Sequence, residues 1–450
     1  MRVVVVGGGI AGLAAARRLE HVAPDVSIAL VESDELPGGK LRTEVVDGFV
    51  VEAAPDSFLS RKPRGVGLVE ELGLADELVT RRAENHRTFV RRSGDLHPLP
   101  EGLTGMIPTS LDALERSDLL SAEGKARFAA EAEVPPSAGD EDESVAAFVT
   151  RRFGREAYDA LVEPLMTGIY GGDGERMSLR ATFPQLRALE LEHGSLLRGL
   201  DSPAASDRPP FLSLRRGMGS LVAALVDGFE CTELLLGRRV TSVRRGYQVE
   251  LADGEVVEAD GVVLATPAFV TAELLADLDP VLAAEHADIP YGSSAVVTLA
   301  FAAEDVEPLD GYGYLVPRTE ASDVLACTWS SQKWEGRAPA GAVLVRVYAG
   351  RFGGRDVTQA GDDELVGLAR AELRTDAEPM RTWVNRWPRG MPQYVLGHPG
   401  RLLRIEERLA RHPGLAVAGA AYRGVGIPDC IASGEAAAES VVKALAGARA

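Results

Sequence analysis

Three glycines and one glutamate are the first residues in this sequence whose types and spacing could do chemistry. Gly7, Gly9 and Gly12 stand as GxGxxG inside "VVVVGGGIAGLAAARRLE" (3–20), and Glu32 follows twenty residues after Gly12. In that pattern the first glycine permits a tight turn, the second lets backbone approach a pyrophosphate, and the third lets a helix pack closely on a strand. Free amides and the positive dipole end at the helix start then favour phosphate oxygens. A carboxylate at Glu32 accepts hydrogen bonds from the ribose hydroxyls of an adenosine and repels a phosphorylated ribose. The chemistry expected here is dinucleotide binding.

The elements that must position these residues are legible around them. Val3 to Val6 read as a buried parallel strand, "GLAAARRLE" as the helix after the turn, and "DVSIALVE" (25–32) as a second strand ending at Glu32. The tail repeats the pattern: a strand from Leu415 to Ala418, a glycine-rich turn and an alanine-rich helix within "HPGLAVAGAAYRGVGIPDCIASGEAAAESVVKAL". A third piece, "VTSVRRGYQVELADGEVVEADGVVLATP" (240–267), alternates around an Asp253-Gly254 turn and returns in a buried strand ending at Thr266 and Pro267. Residues 1–85, 206–267 and 385–450 are therefore expected to form one discontinuous nucleotide-binding domain. Between them, 86–205 reads as a helical insertion. It is interrupted by "EAEVPPSAGDEDES", whose six acids and two prolines suggest a solvated loop. Residues 268–384 carry short β-branched segments, "AVVTLAF", "YGYLVPR", "VLACTW" and "AVLVRVY", expected to form the sheet floor of a substrate pocket in an α+β domain.

Composition narrows the field. The chain has 450 residues, 46% hydrophobic and 26% charged, enough for two or three domains. Its formal charge of −19 argues against a nucleic-acid partner and against more than weak peripheral membrane contact. No run approaches the roughly 18 apolar residues of a membrane span. Cys231, Cys327 and Cys430 lie far apart and the seven histidines are scattered, so neither a disulfide framework nor a metal site is expected, and a reducing cytoplasm fits best.

The segment "ESDELPGGKLRTEVVDGFVVEAAPDSF" (32–58), with Gly38 and Gly39 close behind Glu32 and Thr43 shortly after them, resembles the extended fingerprint of FAD enzymes of the amine-oxidase superfamily. With "APDSFLSRKP" (54–63), "LVEPLMTGIYGGDGERMSLRATFP" (161–184) and "YRGVGIPDCIASGEAAA" (422–438), the whole chain is similar to the soluble bacterial porphyrinogen oxidases. That resemblance implies an α/β fold with a Rossmann-like FAD-binding domain, an inserted helical domain of the kind that serves peripheral membrane attachment in relatives, and an α+β substrate domain. It implies non-covalent FAD, with Cys430 a buried small hydrophobe rather than a flavin link. The reaction implied is the six-electron oxidation of coproporphyrinogen III by O₂ in haem biosynthesis, releasing hydrogen peroxide. Protoporphyrinogen IX is the alternative substrate. A flavin amine oxidase or desaturase, with Tyr422 framing the flavin, and a non-catalytic FAD- or porphyrin-binding protein stay open, as does transient contact with other haem-biosynthesis enzymes.

Carried over by position, the resemblance places Gly7, Gly8, Gly9, Ile10, Ala11, Gly12, Glu32, Ser33 and Lys40 around the ADP half of FAD, with Arg42 a further candidate for its phosphates. Ala54, Pro55, Asp56 and Ser57 come close to the flavin, and Ala54 stands where many relatives have glycine. Val240 meets the adenine side, Trp387 lies by the flavin, and Val425, Gly426 and Ile427 approach the isoalloxazine. Hydride transfer to the flavin from an electron-rich pyrrolic bridge needs no strong side-chain base, so no catalytic side chain is expected. What the substrate needs is an apolar slot with a positive rim for its propionates. Arg61 and Lys62 are the candidates for the rim. Gly168, Ile169 and Tyr170 are the candidates for the ring wall, with Met166 expected in the helix core.

Overall fold

The computed structural model describes residues 1–447 apart from His86, Gly105, Ala138, Asp140, 201–208, Pro308 and Leu309. Its nucleotide-binding part centres on a five-stranded parallel sheet, in the order Thr232–Leu235, Ser27–Val31, Arg2–Val6, Gly261–Leu264, Leu415–Val417. Four successive valines form its middle strand because both faces are covered. Val3 and Val5 pack under the helices, and Val4 and Val6 against the antiparallel sheet of 240–244, 248–251 and 256–258. Helix Ile10–Val22 follows the first strand, and helix Ile427–Gly447 lies directly on it. The crossing is close enough that a Cβ at Gly434 would collide with the Ala11 carbonyl oxygen.

The second layer is a seven-stranded sheet, ordered Arg381–Pro392, Tyr291–Ala302, Ala342–Ala349, Val324–Trp329, Gly313–Leu315, Thr88–Arg92, Asp95–Pro98. Helix Asp362–Leu373 covers one face through Val297, Val345, Leu365 and Ala369. The other face turns toward the nucleotide-binding part. Two expected boundaries move accordingly. Residues 88–98 pair into this sheet rather than into the helical insertion, because Thr88–Val90 run parallel to 313–315. Strand 381–392 crosses the expected limit at 384/385, because it is hydrogen-bonded to 291–302 along most of its length. The expected boundary at 205/206 lies outside the described residues.

The helical insertion gathers its own core from Phe128, Phe148, Phe153, Leu161, Met166 and Leu186. Serines start its helices: the side chains of Ser110, Ser121, Ser144 and Ser178 each accept from the amide three residues on. The acidic stretch departs from a simple solvated loop. Glu131 is fully buried and accepts from Arg152 Nε at 2.6 Å and from Leu196 N, while Asp142 accepts from Ser178 Oγ at 2.6 Å and Gly397 N at 2.8 Å. Carboxylates at both ends of the run thus anchor the insertion, since each meets donors that burial would otherwise leave unpaired.

Candidate functional site

The glycine turn at the top of the parallel sheet is shaped by backbone contacts. Gly7 has φ +103°, and a Cβ there would sit 2.8 Å from the Ala265 carbonyl oxygen; a Cβ at Gly12 would collide with the Gly7 oxygen. At Gly9 the opposite holds: a Cβ would meet nothing within 4 Å. Open space lies where backbone must face a pyrophosphate, and tight packing lies where helix meets strand. Gly38 and Gly39 close the near side, with Gly38 N donating to Gly8 O at 2.8 Å.

Glu32 sits just past the second strand, its backbone amide donating to Leu235 O at 3.0 Å and its carbonyl accepting from Arg238 N at 2.8 Å. This brings the chain leading into Val240 alongside it, while Val240 itself is 8% exposed in the core between the parallel and antiparallel sheets. The Glu32 carboxylate accepts from Gly8 N (2.6 Å), Asp34 N (2.8 Å) and Ser33 Oγ (3.0 Å), so it is fixed at the mouth of the glycine turn. Arg42 pairs with Asp34, leaving Lys40 as the uncommitted base. Lys40 is exposed along the cleft yet crowded by protein, and this desolvation lowers its ammonium below the usual lysine value. Glycine turn, acidic strand end and unpaired ammonium together fit the ADP half of FAD.

At the other end of the cleft, segment 53–57 is strapped to the seven-stranded sheet. Trp387 Nε1 donates to Ala53 O at 3.1 Å, and the Arg346 guanidinium donates to Ala54 O. Asp56 is buried, accepting from Lys333 Nζ (3.0 and 3.1 Å) and Trp334 Nε1 (3.0 Å), with Arg346 Nη1 at 3.6 Å. Although burial opposes it, Lys333 and Arg346 hold its carboxyl well below the usual range. Beside Arg346, Tyr348 stacks on the guanidinium at 5.0 Å, and protein crowding pushes its phenol up to about 12. Register places Asn385, Val296, Tyr348, Ala326 and Leu315 in one row across this face, with Gly168 approaching Leu315. Beyond Leu315 the row continues through Val90 to His97 on the edge strand.

The third wall is the turn before the last helix. Val425 packs against the core of the helical insertion, and helix 427–447 begins at Ile427, with Asp429 Oδ2 accepting from Gly426 N at 3.2 Å. Tyr394 pins this turn, its hydroxyl accepting from Gly424 N (2.8 Å) and donating to Ala420 O (2.6 Å). Its ring stacks on His398 at 4.3 Å. Cys430 is buried and its thiol is pushed up to about 12 by desolvation, which leaves no reactive thiolate.

The substrate-side candidates divide. Ile169 is 47% exposed, next to Gly168. Tyr170 is instead packed in the core of the insertion, edge-on to Phe183 (5.9 Å) and tilted against Tyr394 (6.0 Å), so its ring faces are largely covered. Met166 is core, as expected. Lys62 is committed to Asp429 by two contacts of 2.6 Å, whereas Arg61 is exposed. Tyr422 does not frame the cleft. It is 7% exposed in the core on the far face of the parallel sheet, edge-on to His286 at 5.8 Å. Arg346, Lys333, Trp334, Tyr348 and Tyr394 escaped the sequence reading. An arginine inside the apolar run "AVLVRVY" is the one signal that marked any of them.

A dinucleotide cradle at one end and a largely apolar sheet wall at the other are the arrangement of a flavin-dependent oxidoreductase. Residues 10–442 match the family described as flavin containing amine oxidoreductase. Relatives include the coproporphyrinogen III oxidases of Bacillus subtilis (35% identical, covering 97% of this chain and 96% of that protein) and Propionibacterium freudenreichii (36%, 98% and 90%). A solved Exiguobacterium structure assigned to the protoporphyrinogen oxidases superposes with a TM-score of 0.88 at 35% identity, covering 98% of both chains. The chain belongs to the flavin-containing amine oxidoreductases, and within them to the porphyrinogen oxidases. Its cofactor is FAD.

Proposed function

We propose that this protein oxidises coproporphyrinogen III to coproporphyrin III, taking six electrons in three hydride transfers and returning them to three O₂ as three hydrogen peroxide. The observation that carries this reading is the sheet face opposite the flavin-side strap, where Val296, Tyr348, Ala326 and Leu315 form a row that brings no carboxylate, histidine or cysteine until His97 at its far edge. That suits a substrate whose pyrrole nitrogens push hydride from the bridging carbons. It does not suit amine oxidation framed by Tyr422, which is buried elsewhere.

FAD, when bound, supplies the hydride acceptor. Gly7, Gly8, Gly9, Ile10, Ala11 and Gly12 hold its pyrophosphate, Glu32 and Ser33 its ribose, Lys40 its phosphate charge and Val240 its adenine. Ala54, Pro55, Asp56 and Ser57 support the flavin, with Trp387 fixing Ala53 behind them. Val425, Gly426 and Ile427 lie against it at the helix start, with the Gly426 amide shared with Asp429 Oδ2. Binding is non-covalent, consistent with the buried, protonated Cys430. Ile169, Gly168 and the sheet row hold the ring, and Arg61 offers a propionate its guanidinium. Lys62 serves the same rim while sharing its charge with Asp429. Among the described residues no helix is long and apolar enough to cross a membrane, and we place the reaction in the cytoplasm.

The deciding experiment compares kcat/KM for coproporphyrinogen III and protoporphyrinogen IX, before and after Lys62→Ala. The tetracarboxylate is expected to be preferred and to suffer the larger loss. Equal losses remove Lys62 from the rim, and preference for the dicarboxylate assigns protoporphyrinogen IX instead.

A further inference from the structure

Beneath the strap 53–57 lies a charge cluster whose composition a structural clamp does not explain. Among the described residues, Lys333, Arg337 and Arg346 face only Glu52 and Asp56, so three cations meet two carboxylates and one positive charge is in excess. Arg337 and Arg346 are each 1% exposed, and Lys333 is 14% exposed. Arg337 donates to Ser213 Oγ at 2.8 Å and lies 3.4 Å from Glu52, which also accepts from Met218 N. On Arg346, Nε and Nη1 are buried without any hydrogen-bond partner. Burial raises the Glu52 carboxyl above its usual value, and protonation there would only enlarge the excess.

Buried ion pairs rarely beat apolar packing as glue, and an unbalanced buried set is worse still. An excess charge kept at such a site calls for a second role. We propose that this cluster sets the electron affinity of the bound flavin, its surplus positive charge favouring the reduced ring. The inference rests on the proposed function, which puts Ala54–Ser57 against the flavin. Arg346 touches Ala54 O and Asp56 is itself part of that segment, so the cluster lies directly behind the surface the flavin contacts. Taking up a hydride makes the flavin more negative by one unit, and a fixed cation in a poorly solvated site stabilises that change with no reorganisation.

Sulfite tests this without turnover. It adds its electron pair to oxidised flavin and leaves the ring negatively charged, so its dissociation constant, read from bleaching of the flavin band, reports the same electrostatics. Lys333→Met should weaken sulfite binding by about tenfold, and Asp56→Asn should tighten it by about tenfold, since one removes a cation and the other an anion. Glu52→Gln shares the sign of Asp56→Asn and replaces it if that variant does not fold. Damage to packing moves every variant the same way; opposite signs are the signature of charge. A wild-type chain that holds no FAD overturns the proposed function. Variants that hold FAD yet all shift in one direction, or all stay within twofold of wild type, overturn this inference alone.

Discussion

The two ends of the cleft are built by opposite means. At the nucleotide end, backbone packs against backbone, Gly7 against Ala265 O and Glu32 N on Leu235 O, and the Glu32 carboxylate locks Gly8 N across 24 residues. At the flavin end, side chains reach across 277 to 334 residues to hold a five-residue strap: Lys333 on Asp56, Arg346 on Ala54, Trp387 on Ala53. The first arrangement exposes amides and a dipole to an anion. The second buries charge next to where electrons arrive. Changes at the first end should therefore act on cofactor binding in proportion to local sterics. Changes at the second should cost stability and alter chemistry together.

The strongest break is expected at Gly12. Gly12→Val drives a side chain into the Gly7 carbonyl, and no folded flavoprotein should be recovered, as judged by soluble yield and the ratio of flavin to protein absorbance. Next comes Arg346→Ala, which leaves Asp56 short of a partner and Ala54 O unpaired. A loss of about 3–5 kcal/mol in urea unfolding is predicted, as for other broken buried pairs.

A third effect runs through pH. His398 is fully buried, donates from Nε2 to Tyr422 O at 3.0 Å, and desolvation lowers its imidazole to about 4. Its unfolded value is about 6.5. The unfolded chain therefore binds the extra proton across that interval, and stability is lost as pH falls from about 6.5 toward 4, by up to about 3 kcal/mol. His398→Gln should flatten the urea midpoint between pH 7 and pH 4.5. A midpoint that stays steep in the variant assigns the loss to other groups.

Gly9→Ala sharpens the contrast at smaller cost. With nothing within 4 Å of the new Cβ, the melting temperature should move by no more than a few degrees, while FAD affinity falls by about tenfold, or ~1.4 kcal/mol, because the methyl occupies the pyrophosphate's approach. The smallest effect belongs to the half-exposed Lys62–Asp429 pair. Lys62→Ala should cost under about 1 kcal/mol of stability, whatever it does to substrate choice.

How legible each end was in the sequence follows from the same difference. Gly12 and Glu32 announce themselves because the Gly7 oxygen and the Gly8 amide that they meet lie within one strand-turn-helix-strand unit, where spacing carries the geometry. Arg346 and Lys333 carry no such spacing; only the improbability of an arginine inside "AVLVRVY" hints at a buried partner, and nothing local says that the partner is Asp56. Tyr170 misled for a related reason. Its place in "LMTGIYGG" near Gly168 suggested a ring wall, but helix periodicity leaves Ile169 exposed and turns Tyr170 into the insertion's core. Glu131 looked like part of a solvated acidic run until Arg152, brought in from the next helix, gave it a buried partner.

The most direct test of the account is aerobic incubation of the FAD-loaded protein with coproporphyrinogen III in the dark, following porphyrin fluorescence and peroxide together. Coproporphyrin III should appear with three hydrogen peroxide per porphyrin, at a rate that scales with the flavin content of the sample. Flavin-loaded protein that yields porphyrin no faster than the buffer alone would contradict it.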